Sequence, residues 1–425
     1  MNYYTQPEKK IPIVKEYDVI VCGGGPAGFA AAVWAARQGA DTLLIEQCNA
    51  VGGVATTGLM SHWTGETEGG FYYELLDASC DSDNKALIDP EKLKTVMLKM
   101  LEDAGVQLKL YTFCSDVIMD GDTIKGVVTQ SKSGTEAFLA KQIIDCTGDG
   151  DIACKAGVPF YKGREGDGVM QPVTLMFKVA NVDTSVAPTI HMFEQTCQVP
   201  KGDIQQLARE HISFPAGHVL IYPSTKPGIM TLNMTNVIDI DGTNSDDLTK
   251  AEIVCRNQMQ EIIAFLREFV PGFENSYIVS SASYMGVRET RHFEGLYTLT
   301  RDDIYTARVF DDWAVTKAQF NFDIHNTEGC GLDANGLQKH FKQKGKYTIP
   351  FGCFVPKQIK NLMFAGRNIS GTHVAHSSYR VMPICCNMGQ SVGIAAALCV
   401  KKGITPKELD VKELQNELNK VGVSL

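Results

Sequence analysis

His373, His376 and Arg380 crowd one short stretch, THVAHSSYR. Two imidazoles that titrate near neutral pH and a guanidinium that forks onto carboxylates or developing oxyanions can move protons and hold an anion. Arg288 and Arg291 flank Glu289 in GVRETR, and two readings stay open for them. They either join two parts of the molecule as an internal ion-pair network, or anchor a substrate carboxylate or enolate-like oxygen. Asp323 and His325 in FDIH occupy alternate positions, so on a strand both point to one face and can form a carboxylate-oriented histidine. An isolated histidine is usually a surface residue or a satisfied core residue, so these groups acquire chemistry only from what they stand beside.

The elements that would position them begin at Tyr17 to Glu46, YDVIVCGGGPAGFAAAVWAARQGADTLLIE. An apolar strand runs into a turn with Gly23, Gly25 and Gly28 in GxGxxG register, then an alanine-rich helix, then a second strand ending on an acid. Gly23 permits the tight turn, Gly25 lets backbone approach a pyrophosphate, and Gly28 lets the helix pack on the sheet; Pro26 and Ala27 open that helix. Glu46 is placed to accept ribose hydroxyls, and its charge would repel a ribose phosphate. FAD or NAD fits this unit, and NADP does not. A glycine turn that merely starts a helix is the bland alternative, which the preceding strand and the spaced acid disfavour.

A chain of 425 residues with 44% hydrophobic and 21% charged content is long enough for two cores interleaved in sequence. The formal net charge of −9, without a dense lysine and arginine block, argues against a nucleic-acid partner and for small molecules. Thirteen cysteines lack zinc or iron–sulfur spacing, so no metal is expected and a reduced, cytoplasmic setting is. Cys385 and Cys386 are adjacent; a vicinal disulfide and simple apolar filling are the two options, the second preferred. No signal peptide and no bilayer-length apolar run of roughly 20 residues is apparent, so no membrane partner is expected. A homo-oligomer is compatible with all of this.

The fold class expected is α/β: a Rossmann-like dinucleotide domain built from residues 1–165 and 350–425, with a mainly antiparallel α+β substrate domain, 166–349, inserted in it. After Glu46 and Gln47, the Gly52-Gly53-Val54 loop brings main chain close to something flat. Helices are expected near Gly70 to Leu76 and from Pro90 to Ala104, the latter capped by Asp89. A small meander spans 116–144, and the strand ending in Asp-Cys-Thr-Gly-Asp-Gly-Asp151 returns to the parent sheet. In the second domain, strands are expected at Val173 to Val179, Gly217 to Tyr222 and Ile229 to Met234, with a helix from about Leu248 to Phe269. A strand from Asn361, the Ala365-Gly366-Arg367 turn, a polar loop and a helix from Gly389 to Val400 complete the first domain.

One complete fingerprint is present, so the chain has no second nucleotide unit, and electrons must come from the substrate, a diffusing donor or a partner. From VIVCGGGPAG and LLIE through IIDCTGDGD, GVRETR, FDIH, NLMFAGRNISGTHVAHSSYR and NMGQSVGIAAAL, the chain resembles the FAD-dependent oxidoreductase family of glutathione-reductase-like flavoproteins. The resemblance implies that Thr147, Gly148 and Asp149 lie under the pyrophosphate and ribitol, that Cys114 offers backbone to the adenine, and that Gly389, Ser391 and Val392 lie at the flavin ring. A helix start at Gly389 would stabilise charge on a reduced ring. His373, His376 and Arg380 would then run past the ring. The expected activity is FAD-dependent hydride transfer between flavin N5 and a small polar organic substrate, in either direction. The alternative is an electron-transfer subunit similar to the flavin part of heterodisulfide reductases, whose cysteine clusters this chain lacks.

Overall fold

The computed structural model describes residues 2–5, 7–80, 84–333 and 343–425. Near-continuous apolar runs form its central strands because a parallel sheet is covered on both faces. Strand β1 (Ile13–Cys22) leads into helix α1 (Pro26–Arg37), and β2 (Thr42–Ile45) returns parallel beside β1. Beyond them lie β3 (Gln107–Lys109), β4 (Phe113–Asp120), β5 (Thr123–Ser131) and β6 (Gly134–Asp145), in the order β3-β2-β1-β6-β5-β4.

The expected meander and the expected returning strand prove to be one continuous device. The first half of β6 pairs antiparallel with β5, and its second half runs parallel between β1 and the strand Leu362–Phe364. Through this last pairing the C-terminal section rejoins the sheet beside the first βα turn. The helix Pro90–Asp103 is capped by Asp89, whose carboxylate accepts from the backbone N–H of Glu91 and Lys92.

Two apolar cores form. The first joins α1 and the parallel sheet to the C-terminal helix, and the second lies between residues 173 and 285, with Leu59. The expected inserted segment 166–349 is therefore divided. Phe293, Phe310, Trp313 and Tyr347 pack in the first core, because the strand Trp313–Ala318 pairs with Tyr347–Pro350 near the C-terminal helix. The second core backs a four-stranded antiparallel sheet, ordered Ile221–Pro223, Met230–Leu232, Phe177–Ala180 and Tyr277–Ser281. Its strands are shorter than alternation suggested; Val173 and Thr174 make only single bridges. The helix Ser245–Phe269, capped by Asn244, covers it.

The C-terminal helix corrects one expectation with consequences for the site. It runs from Met382 to Lys402, with Pro383 in its first turn, so Gly389 lies in its interior and not at its start. A Cβ at Gly389 would stand 2.0 Å from the Ala27 carbonyl oxygen, and one at Gly393 would stand 2.4 Å from that of Ala31. The glycines exist for close helix–helix contact. This helix is long and apolar enough to cross a membrane by length and composition, but 89% of its apolar window is buried inside the molecule. His373 to Tyr379, expected as loop, forms a short helix capped by Thr372.

Candidate active site

The turn after β1 is shaped by contacts that only glycine satisfies at two of its three fingerprint positions. A Cβ on Gly28 would sit 1.7 Å from the Gly23 carbonyl oxygen. Gly23 itself has φ +92°, and a Cβ there would stand 2.4 Å from the Cys146 carbonyl oxygen. Gly25 differs: an added Cβ there meets nothing within 4 Å. The space in front of Gly25 is an open cavity. No side chain caps α1, so its first-turn N–H groups remain available to an anion at the positive end of the helix dipole.

Glu46, at the end of β2, lines the same cavity. Its two oxygens accept from the backbone N–H of Gly24 at 2.6 Å and Cys48 at 2.8 Å, and each keeps a further acceptor position for a ribose hydroxyl. Gly23, Gly25, Pro26, Ala27, Gln47, Gly53, Val54, Cys114, Thr147, Gly148, Gly366 and Arg367 also line it. An uncapped helix start, an acid with spare acceptor capacity and a bare glycine facing open space are what a bound FAD requires at its adenosine and pyrophosphate end.

Several expected contacts lie elsewhere. Gly28 faces the turn itself, and Gly52 (φ +103°) shapes the loop, its N–H donating to Gly24. Asp149 stands off the cavity wall, its carboxylate accepting from Arg367 at 2.8 Å and from the Thr290 hydroxyl at 2.7 Å. Gly389, Ser391 and Val392 are buried away from the cavity. Ser391 donates to the Ala314 carbonyl, and the helix start that does line the cavity carries Met382 and Cys385. Burial pushes the Cys385 thiol up to about 12, so it stays protonated. Cys385 and Cys386 are both free thiols.

Arg380, Met382 and Cys385 also line the cavity, and the second unit adds Tyr284, Met285, Gly286 and Val287 to the wall, Tyr284 accepting from Gln47 at 2.9 Å. Arg380 donates through Nη2 to the Asp323 backbone carbonyl at 3.0 Å and its carboxylate at 3.2 Å, while its buried Nε has no partner. Asp323 also meets His325 Nε2 at 3.3 Å, so the carboxylate-oriented histidine is formed. Burial and Arg288 push His325 down to about 4; it is neutral at pH 7.

His373 and His376 lie behind this wall. His373 Nδ1 is 2.6 Å from a Glu289 carboxylate oxygen that also meets His292 Nε2 at 2.8 Å, and all three side chains are buried. His376 is buried and neutral, desolvation holding its pKa well below the ordinary range, with Nδ1 unpartnered. Neither histidine lines the cavity. Their segment is helical, and its register turns them toward Glu289. Arg291 follows its bland reading, donating to the Asp149 carbonyl and the Asp151 carboxylate. Arg288 is buried, with one hydrogen bond, from Nη1 to the Pro172 carbonyl at 2.5 Å.

Three residues that motif reasoning passed over join this region. The rings of His62 and Tyr222 lie 4.8 Å apart, and His191 is 5.9 Å from Tyr222. His62 pairs through Nδ1 with Ser61 Oγ at 2.8 Å and is pushed down to about 4 by burial. Its place soon after the Gly52-Gly53 loop was the one available signal.

His218 stacks on Phe193, has a buried Nε2 without a partner, and is pushed down to about 4 by burial and by Arg209. Its folded-state affinity for protons is below its unfolded value of about 6.5, so its contribution is complete above that pH and is lost as pH falls toward 4. His218→Gln should flatten the loss of stability between pH 6.5 and 4.5 by on the order of 1 kcal/mol or more. Urea midpoints at both pH values check this, and an unchanged slope refutes it.

The sequence profile described as FAD dependent oxidoreductase matches residues 18–418. The tRNA uridine 5-carboxymethylaminomethyl modification enzyme MnmG of Dichelobacter nodosus is 26% identical over an alignment of 404 residues that covers 84% of this chain and 58% of that protein; the chain thus spans less than two thirds of that relative. A geranylgeranyl bacteriochlorophyll reductase-like protein from Thermoplasma acidophilum superposes with a TM-score of 0.51 at 13% identity, covering 96% of this chain and 84% of that one. A triple mutant of the flavin-dependent brominase Bmp2 gives 0.50 at 13% identity, covering 95% and 84%. At such identities these two structures share the fold. Fingerprint, cavity and profile agree on FAD as the cofactor, and the chain belongs to the FAD dependent oxidoreductase family.

Proposed function

We propose that this enzyme transfers a hydride between a small polar organic substrate and FAD, with the substrate seated against Arg380. The observation that supports this is a convergence at one place. The cavity lined by the glycine turn is lined as well by Arg380, Met382 and Cys385, and Arg380 is hydrogen-bonded to Asp323 of a buried polar cluster.

The Gly23–Gly28 turn would hold the pyrophosphate of FAD, Glu46 the adenosine ribose, and the backbone around Cys114 the adenine. Arg367, beside Gly148, and the Met382 helix start line the same cavity. Bound FAD supplies the two-electron chemistry. Arg380 orients a substrate oxygen. When a hydroxyl or amine carbon gives up its hydride, the heteroatom releases a proton. In this reading His62 is neutral and accepts it on Nε2, with its Nδ1–H donating to Ser61. Like His373 and His376 it is off the cavity lining, but it packs on Tyr222 beside Arg288 and Asp323. His373 and His376, set behind the wall, position Glu289 and the adjoining backbone. Reduction of an activated double bond would use the same groups in reverse.

Anaerobic mixing of the FAD-loaded protein with pools of hydroxy acids, sugars and amino acids should bleach the flavin band at roughly 450 nm. His62→Asn should keep FAD and slow bleaching by about a hundredfold or more, as loss of a general base predicts. Wild-type rates in that variant remove His62 from its role, and bleaching only by a co-purifying protein favours electron transfer instead.

A further inference from the structure

Arg288 is a buried cation whose charge the described residues leave partly uncompensated. It uses one of its five N–H donors, on Pro172. The strongest fields on it come from Arg380, Asp323, Tyr222 and Cys255, and neutral His325 lies within its own reach. Asp323 is the one carboxylate among them, and Arg380 already donates to it. Tyr222 is buried and protonated, burial raising its pKa, and the Cys255 thiol is pushed up to about 11. Neighbouring Glu289 is committed to His292, His373 and the Gln171 backbone N–H. Glu289 lends its field to Arg380, but among the described residues Arg288 donates to no carboxylate, and the buried Arg380 Nε is also without a partner there.

A buried cation without a counter-charge is expensive, and a protein keeps one where a ligand completes the pair. We propose that Arg288 and Arg380 together receive the carboxylate of an organic acid substrate, with the rings of Tyr222 and His62 flanking its carbon skeleton. The planar fork of a guanidinium matches the two oxygens of a carboxylate. Arg380 joins this anchor to the cofactor cavity, because it lines the cavity and contacts Asp323. The inference rests on the preceding reading only in placing the substrate beside Arg380.

The test is calorimetric titration of the FAD-loaded protein with acetate, benzoate and succinate, with their amides, and with inorganic phosphate, at fixed ionic strength. At least one carboxylate should bind about tenfold or more tightly than its amide. Arg288→Gln should cut that preference below about twofold while leaving amide binding unchanged, and Arg288→Lys should restore part of it. If Arg288→Gln does not fold, Arg380→Gln carries the same expectation. Equal affinities within all three acid–amide pairs overturn the proposal, as does tighter binding of phosphate, or a preference that survives both glutamine variants. Flavin bleaching is scored separately. Acids that bind without bleaching uphold the anchor and count against hydride transfer, whereas bleaching by neutral compounds with no acid preference does the reverse.

Discussion

Valine in place of Gly25 is expected to give a folded but colourless protein. Gly25 has φ −63° and ψ −176°, backbone values open to any L residue, and nothing lies within 4 Å of its added Cβ. The new side chain would project into the cavity in front of the uncapped start of α1, where the pyrophosphate of FAD would meet free N–H groups. Affinity for FAD should fall by about a hundredfold or more, on the order of 3 kcal/mol, while the far-ultraviolet circular dichroism stays native. Gly28→Val is the contrasting control, since its Cβ would collide with the Gly23 carbonyl and the turn itself would fail. FAD content after gel filtration decides the matter. A yellow Gly25→Val protein with full occupancy would mean that the cofactor does not lie on this turn.

Glu289→Gln should be the most destabilising conservative change in the molecule's polar interior. Burial alone would raise this carboxyl's pKa, but hydrogen bonds from His292 and His373 prevail and hold it far below the ordinary carboxylate range. Its other oxygen accepts from the Gln171 N–H at 3.1 Å. The amide keeps the volume but carries no charge and offers one acceptor atom in place of two, so either the Gln171 N–H or both imidazoles face an NH2 group where an acceptor stood. Breaking a buried pair of this kind costs about 3–5 kcal/mol. Because the folded-state pKa is depressed, the contribution is complete above the unfolded value of about 4.3 and disappears only as pH falls through the folded one. Urea unfolding at pH 7 should show the whole gap, which narrows below about pH 4. A difference under about 1 kcal/mol at pH 7 would show that Glu289 does not hold this cluster together.

The dinucleotide unit was legible because its physics is local. Gly23, Gly25, Gly28 and Glu46 act through turn geometry, helix polarity and a fixed strand–helix–strand length, all carried within one stretch of chain. The Asp89 cap and the Pro90 helix start were legible for the same reason. The interior position of Gly389 was not, since a small-residue stripe packed on Ala27 and a helix start that approaches a ring share the same local signature. Pro383 was the local clue to the true start.

The chemistry-bearing part of the site is of the other kind. Glu289 holds His373 inward, and nothing near that histidine in the chain records the pull. Arg288, Asp323, Arg380, Tyr222 and His62 come from distant parts of the polypeptide. The chain by itself determined that a nucleotide turn must form and what charge it would accept. Which side chains line the cavity and which lie behind it was decided by how two cores pack, because burial, orphaned donors and paired charges arise only when separate segments exclude water together.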